Sequence, residues 1–104
     1  MSVEITYTHV EKPEGQPARL RRVPRVRVAQ IATDYLAYGW SVDEMCRQHP
    51  YLTPAEAHSA MAYYFDHQAE IDAEIEAELK EAEKARADAP PSPFAIRMKA
   101  KGLL

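Results

Sequence analysis

The sequence predicts a mainly α protein: a trihelical, helix-turn-helix-like core, short N-terminal β strands ahead of it, and a long third helix. Three observations carry this. Apolar residues recur at helical spacing from Val28 onward. Helix-boundary signals follow in quick succession at Gly39, Ser41 and Thr53. From Pro54 no proline or glycine interrupts the chain until Pro90.

The alternation Val3-Glu4-Ile5-Thr6-Tyr7-Thr8-His9-Val10 has the period of a half-buried strand. Glu11 to Pro17 holds two prolines and Gly15, so the chain turns there. A second extended piece spans about Arg19 to Arg27. Pro24 donates no ladder hydrogen bond, so this is an edge strand or two short pieces. The two stretches make a ragged hairpin or an arm that pairs with another subunit.

Helix 1 is expected over Val28–Tyr38, with Val28, Ile31, Ala32, Tyr35 and Leu36 on one apolar face and Gly39 closing it. Ser41-Val42-Asp43-Glu44 is a capping box that opens helix 2, whose inner face is Val42, Met45 and Cys46; Pro50 stops it after His49. Thr53-Pro54-Ala55-Glu56 combines an N-cap hydroxyl, a proline at the first helical position and a closing glutamate. Helix 3 therefore starts at Pro54 and is expected to run to about Ala87, a rod on the order of 50 Å at ~1.5 Å per residue. Ala57, Met61, Tyr64, Ile71, Ile75 and Leu79 form its stripe. Ala89-Pro90-Pro91-Ser92-Pro93 reads as a stiff linker. Phe94 to Lys101 reads as a short basic amphipathic helix ended by Gly102. The organisation expected is an arm (1–27), a trihelical core (28–70), an acidic extension of helix 3 (71–88) and a linker with a basic tail (89–104).

With 104 residues, 46% hydrophobic and 28% charged, the chain can bury a small core, and dimerisation through helix 3 or the N-terminal strands would reinforce it. The net charge of -3 advertises no polyanion binder, but charge is segregated. Arg19, Arg21, Arg22, Arg25 and Arg27 crowd one stretch without an acid, ten acids lie between Pro54 and Asp88, and Arg97, Lys99 and Lys101 make the tail basic. One cysteine, Cys46, excludes an internal disulfide and suits a reducing compartment. No apolar run approaches the ~18–20 residues of a membrane span, and Met1-Ser2-Val3-Glu4 does not open like a signal peptide. A cytoplasmic location is expected.

No catalytic constellation is legible. His9, His49, His58 and His67 lack metal-ligand spacing, and Cys46 reads as a small core residue. Three glycines form no phosphate-cradling loop. The expectation is a non-enzyme without cofactor or metal. If the core binds DNA, Arg21, Arg22, Arg25 and Arg27 supply phosphate contacts, and Thr53, His58 and Ser59 at the start of helix 3 lie nearest the bases. That face is poor in base-reading side chains, and Glu56 reads as the capping partner. The arginine cluster can equally be a charged edge that blocks aggregation. Tyr64, Ile71, Ile75 and Leu79 read as a seam for a partner or a second copy, because the far half of a straight rod finds no cover within the chain.

Arg25-Val26-Arg27-Val28, Gly39 to Met45, His49 to Glu56 and Ala60 to His67 together resemble the domain-of-unknown-function family 433. The tract Pro50-x-Leu52-Thr53 leading to Ala60-x-Ala62-Tyr63-Tyr64 is its most specific part, and the resemblance spans about Arg19 to Ile75. Members are regarded as VapB-like antitoxins, often encoded beside PIN-like toxins. The resemblance implies a homeodomain-like or winged-helix-like DNA-binding domain and a PIN-like ribonuclease toxin held inactive as partner. Gly15-Gln16-Pro17 keeps the family's Gly-x-Pro, whereas Arg22-Val23-Pro24-Arg25 replaces its Gly-Thr-Arg step before helix 1. Two functions stand open: an antitoxin that binds operator DNA through the helix-turn-helix-like core and a toxin through the C-terminal region, the acidic helix and basic tail, and a protein-interaction or dimerisation module that never touches DNA.

Overall fold

A computed structural model describes residues 6–86 and 93–102. Seven elements follow one another: β1 (Val10–Glu11), β2 (Arg19–Leu20), α1 (Val28–Tyr38), α2 (Val42–Gln48), α3 (Pro54–Asp66), α4 (Gln68–Ala85) and α5 (Pro93–Ala100). The fold is mainly helical with a two-stranded antiparallel sheet, in which Val10 faces Leu20 and Glu11 faces Arg19.

The strands are much shorter than the alternation predicts. Val3–Ile5 lie outside the described residues, and Thr6–His9 forms no ladder. Gly15, at φ 72°, occupies the left-handed position of the connecting turn, where the Gln16 amide donates to the Pro13 carbonyl at 3.0 Å. The second stretch does split at Pro24. The Leu20 amide donates to the Val26 carbonyl at 2.9 Å, and the Val26 amide to the Val23 carbonyl at 2.9 Å. Pro24 thereby takes the second place of a tight turn, where its fixed φ is an advantage.

α1 lies at the centre, packed against α3, α4 and α5. It holds that place by burying adjacent as well as periodic residues: Val28, Ala29, Ile31 and Ala32 leave a face wide enough for more than one neighbour. Gly39, at φ 68°, ends it by returning its amide to the Tyr35 carbonyl. α2 begins as expected with the Ser41 hydroxyl accepting from the Glu44 amide at 3.2 Å, and Met45 is buried, while Val42 and Cys46 are only partly covered. Both arms of the Thr53–Glu56 capping box are formed at the head of α3.

The long third helix is corrected. It breaks at His67 (φ -128°, ψ 38°), and the continuation, α4, folds back onto α1. Neither proline nor glycine causes the break. His67 closes α3 by donating its amide to the carbonyls of Tyr63 and Tyr64, and its ring stacks on Tyr63 at 4.1 Å. What drives the fold-back is the stripe. Ile71, Ile75 and Leu79 are 0%, 2% and 8% exposed, and each is worth about 1.5–3 kcal/mol when fully buried. The Tyr64 hydroxyl, donating to Asp72 Oδ1 at 2.8 Å, ties the two helices across the break. That bond and burial together raise the Tyr64 pKa, burial being the larger cause.

The seam of Tyr64, Ile71, Ile75 and Leu79 is therefore corrected too: the chain covers it itself. The uninterrupted helical pattern predicts a straight rod, whose far half would have no cover. α5 contributes as well, since Met98 is fully buried and its helix packs on α1.

Candidate nucleic-acid interface

The loop from Arg21 to Arg25 is the basic feature nearest the head of α3, and three contacts lay it along that helix. The Arg21 amide donates to the His9 carbonyl at 3.0 Å, while the His9 amide donates to the Ser59 hydroxyl at 3.4 Å. The Arg25 guanidinium sits over the Tyr51 ring, 5.3 Å from its centroid. Between them Arg22 makes a fork to Glu56: Nε to Oε2 at 3.0 Å and Nη2 to Oε1 at 2.8 Å, with Nη2 also donating to the Tyr51 carbonyl.

Glu56 is the hub of this arrangement. Its Oε1 also accepts from the Thr53 amide at 3.1 Å and from the Thr53 hydroxyl at 2.9 Å, and the Thr53 hydroxyl in turn accepts from the Glu56 amide at 3.2 Å. A carboxylate only 2% exposed is costly unless paired, and here every approach to it is a donor. The Arg22 fork is the main reason its pKa falls from 4.5 to about 2. The sequence identifies the capping role of Glu56. It misses Arg22 as the second partner, because that pairing spans 34 positions and no local pattern announces it.

The candidate DNA residues divide. Arg21, Arg25, Thr53 and His58 are exposed along the loop and the first turns of α3. Arg22 lies with them, its side chain half in water, but its fork is engaged by Glu56. Ser59 is half-buried and already accepts from His9. Arg27 is corrected: it points away, to Glu78 and to Glu74 at 3.7 Å on α4, so it clamps the fold-back and does not join the patch. α3 itself presents no free acid here, since Glu56 is buried and paired and Asp66 accepts from the Tyr7 hydroxyl, pushing that phenol up to about 12. The acids concentrate on α4.

With this geometry in place, the family comparison bears on the same stretch. Residues 22–64 match the model of a family described as protein of unknown function (DUF433). The match runs from the Arg22 fork through α1 and α2 and ends at Tyr64, three residues before the break at His67. It omits α4 and α5. Among curated proteins and among solved structures nothing matches.

Among the described residues no three His, Cys, Asp or Glu side chains gather in a metal-binding arrangement. No helix of the described residues is long and apolar enough to cross a membrane. Cys46 is half-buried on α2, where desolvation raises its thiol pKa and keeps it from ready reaction as a thiolate. A shallow groove of about 470 Å³ between β1 and α3 is lined by Tyr7, Tyr63, Lys12, Arg19 and Arg21 among others. Its guanidinium at Arg19 is already paired with Glu11 at 3.4 Å.

Proposed function

We propose that this chain is an antitoxin of a toxin–antitoxin pair, which binds DNA through the Arg21–Arg25 loop and the head of α3 and holds a PIN-like ribonuclease toxin through another surface. The observation that carries the DNA half is the Arg22–Glu56 fork. It fixes a basic loop against a helix start, so that Arg21, Arg25, Thr53 and His58 lie exposed along the loop and the first turns of α3, where the helix's own carboxylate, Glu56, is buried and paired. Arginines at such a place suit phosphates, and the first turn of α3 adds the positive end of a helix dipole. Affinity would be mainly electrostatic, because Thr53 and His58 offer little base discrimination. The toxin half rests on the sequence resemblance to a family whose members are regarded as VapB-like antitoxins; the family model that residues 22–64 match is itself described as of unknown function.

The test is a gel shift on the DNA upstream of the protein's own reading frame. A shift is expected at ~50 mM salt, where phosphate-driven binding is strongest. Replacing Arg21 and Arg25 by alanine should weaken it and reduce the salt slope by about 2, roughly one for each phosphate left without its arginine. No shift at that salt overturns the DNA half. A PIN-like ribonuclease reading frame beside the gene would support the toxin half.

A second reading, an interaction module that never meets DNA, is favoured by the fact that Arg22 and Arg27 are both engaged within the chain. Under it, the Arg21 and Arg25 substitutions leave the biological phenotype unchanged.

A further inference from the structure

The fold-back of α4 leaves the toxin half of the proposed function without the surface that the sequence assigned to it. A different surface is present. Arg25, Tyr51, His49, Trp40, Tyr38 and Arg97 stand in one continuous row. Arg25 lies 5.3 Å over Tyr51, Tyr51 5.7 Å from His49, and His49 6.1 Å from Trp40. Trp40 stacks on Tyr38 at 4.7 Å, and Arg97 covers Tyr38 at 5.0 Å. The six come from four places in the sequence: the arginine loop, the end of α1, the α2–α3 link and α5. Tyr38 and Tyr51 are 43% and 40% exposed.

The composition is that of an interface hot spot, where Trp, Tyr and Arg dominate binding energy. The geometry tells which macromolecule fits. A nucleobase stacks on an open ring face. Here ring faces are already met by neighbours: Trp40 stacks on Tyr38, Arg97 also lies over Tyr38, and Arg25 lies over Tyr51. What the row offers instead is ring edges, which carry the positive part of the aromatic quadrupole, and guanidinium N–H groups at both ends. Both favour carboxylates. The Asp34 carboxylate beside the row is hydrogen-bonded to His49 Nε2 at 2.9 Å and its side chain is only 16% exposed, so little of it faces an arriving partner.

A second copy of the chain is a poor occupant. Its acidic helix keeps Ile71, Ile75 and Leu79 buried, so it presents carboxylates without an apolar part, and four of those carboxylates already pair within the chain: Glu74 and Glu78 with Arg27, Glu76 with Lys80 and Glu83 with Lys99. We therefore infer that the row from Arg25 to Arg97 is the docking surface for an acidic, partly apolar segment of a different protein. This rests on the partner half of the function proposed above and gives it a location and a charge.

Trp40 is the chain's single tryptophan, so its fluorescence reports on the middle of the row without a label. The experiment titrates the full chain with a short peptide alternating Glu and Leu. A saturable change in Trp40 emission is expected, and a peptide alternating Lys and Leu should give none. Arg97→Glu and, separately, Tyr38→Ser should each weaken binding of the acidic peptide, Arg97→Glu by about tenfold, which is the effect of removing one well-placed charge pair. Circular-dichroism melting checks that both variants remain folded. Absence of a response to the acidic peptide, or a response that neither substitution alters, overturns the inference. Stronger quenching by oligothymidylate than by the peptide would make the row a nucleic-acid surface. An emission that depends on protein concentration, with a dimer in sedimentation that Arg97→Glu dissociates, would make it a self-contact. Either result overturns it as well. Arg25 belongs to both surfaces, so the two readings are separated with Arg21→Ala alone in the gel shift and Arg97→Glu or Tyr38→Ser in the titration: Arg21 lies outside the row, and Arg97 and Tyr38 lie outside the DNA patch.

Discussion

α3 and α4 are cut from one uninterrupted run of helix-forming sequence, and they are held in opposite ways. α3 is specified locally: a threonine hydroxyl, a proline and a glutamate fix its first turn before any distant residue takes part. α4 has no side-chain cap at its start and owes its place to contacts with α1, Arg27 and Tyr64. The lesson is that a helix start can be written in four residues, whereas a helix break can be imposed entirely by what the two halves bury.

The contrast can be broken most directly at Ile75. Ile75→Ala should cost about 2–4 kcal/mol, the usual range for emptying a filled aliphatic site. The loss should appear as a lower denaturant midpoint and as early hydrogen exchange in α4 while α2 and the head of α3 stay protected. Uniform loss of protection would show that the two helices are less separable than their construction implies.

Next in size is Glu56→Gln, which keeps the shape and removes the charge. It should cost about 2 kcal/mol, because the Arg22 fork and the Thr53 cap lose a charged acceptor. Its pH signature is specific. The folded pKa of about 2 lies below the ordinary 4.5, so the stabilisation is complete above the unfolded value and fades as pH falls from there through about 2. Acid unfolding followed by circular dichroism should therefore be shallower across that window in the variant than in the parent.

The smallest effect belongs to Arg27→Ala. Its partners on α4 are only partly shielded, so the loss should be at most ~1 kcal/mol and should shrink in high salt. Thermal melting at low and high salt measures it. A large, salt-insensitive loss would mean that Arg27 holds the fold-back more firmly than the apolar stripe does.

What was legible in the sequence follows the same division. Val28–Tyr38 could be bounded residue by residue, since Gly39 and the apolar spacing act within one turn. The starts of α2 and α3 and the short basic helix near the C-terminus were legible for the same reason. The break at His67 was not, because Gln68 to Ala85 is good helix throughout and only burial against α1 favours turning. Among the candidate site residues, the nearness of Arg21, Arg25, Thr53 and His58 follows from a fork that joins residues 34 positions apart. Their residue types suggested the chemistry, and the pairing that assembles them left no local trace. The row from Arg25 to Arg97 was invisible for a related reason: its members are scattered singly, and none is unusual where it stands.

Met98 gives the end of the chain a consequence for everything upstream. A thioether sealed against α1 is shielded from peroxide for as long as the last helix stays seated, so the rate of its conversion to sulfoxide clocks how often that helix lifts. When it lifts, Arg97 leaves Tyr38 with it. Removing α5 would therefore be no neutral act, since it would take away an internal wedge and one pole of the aromatic row in a single stroke.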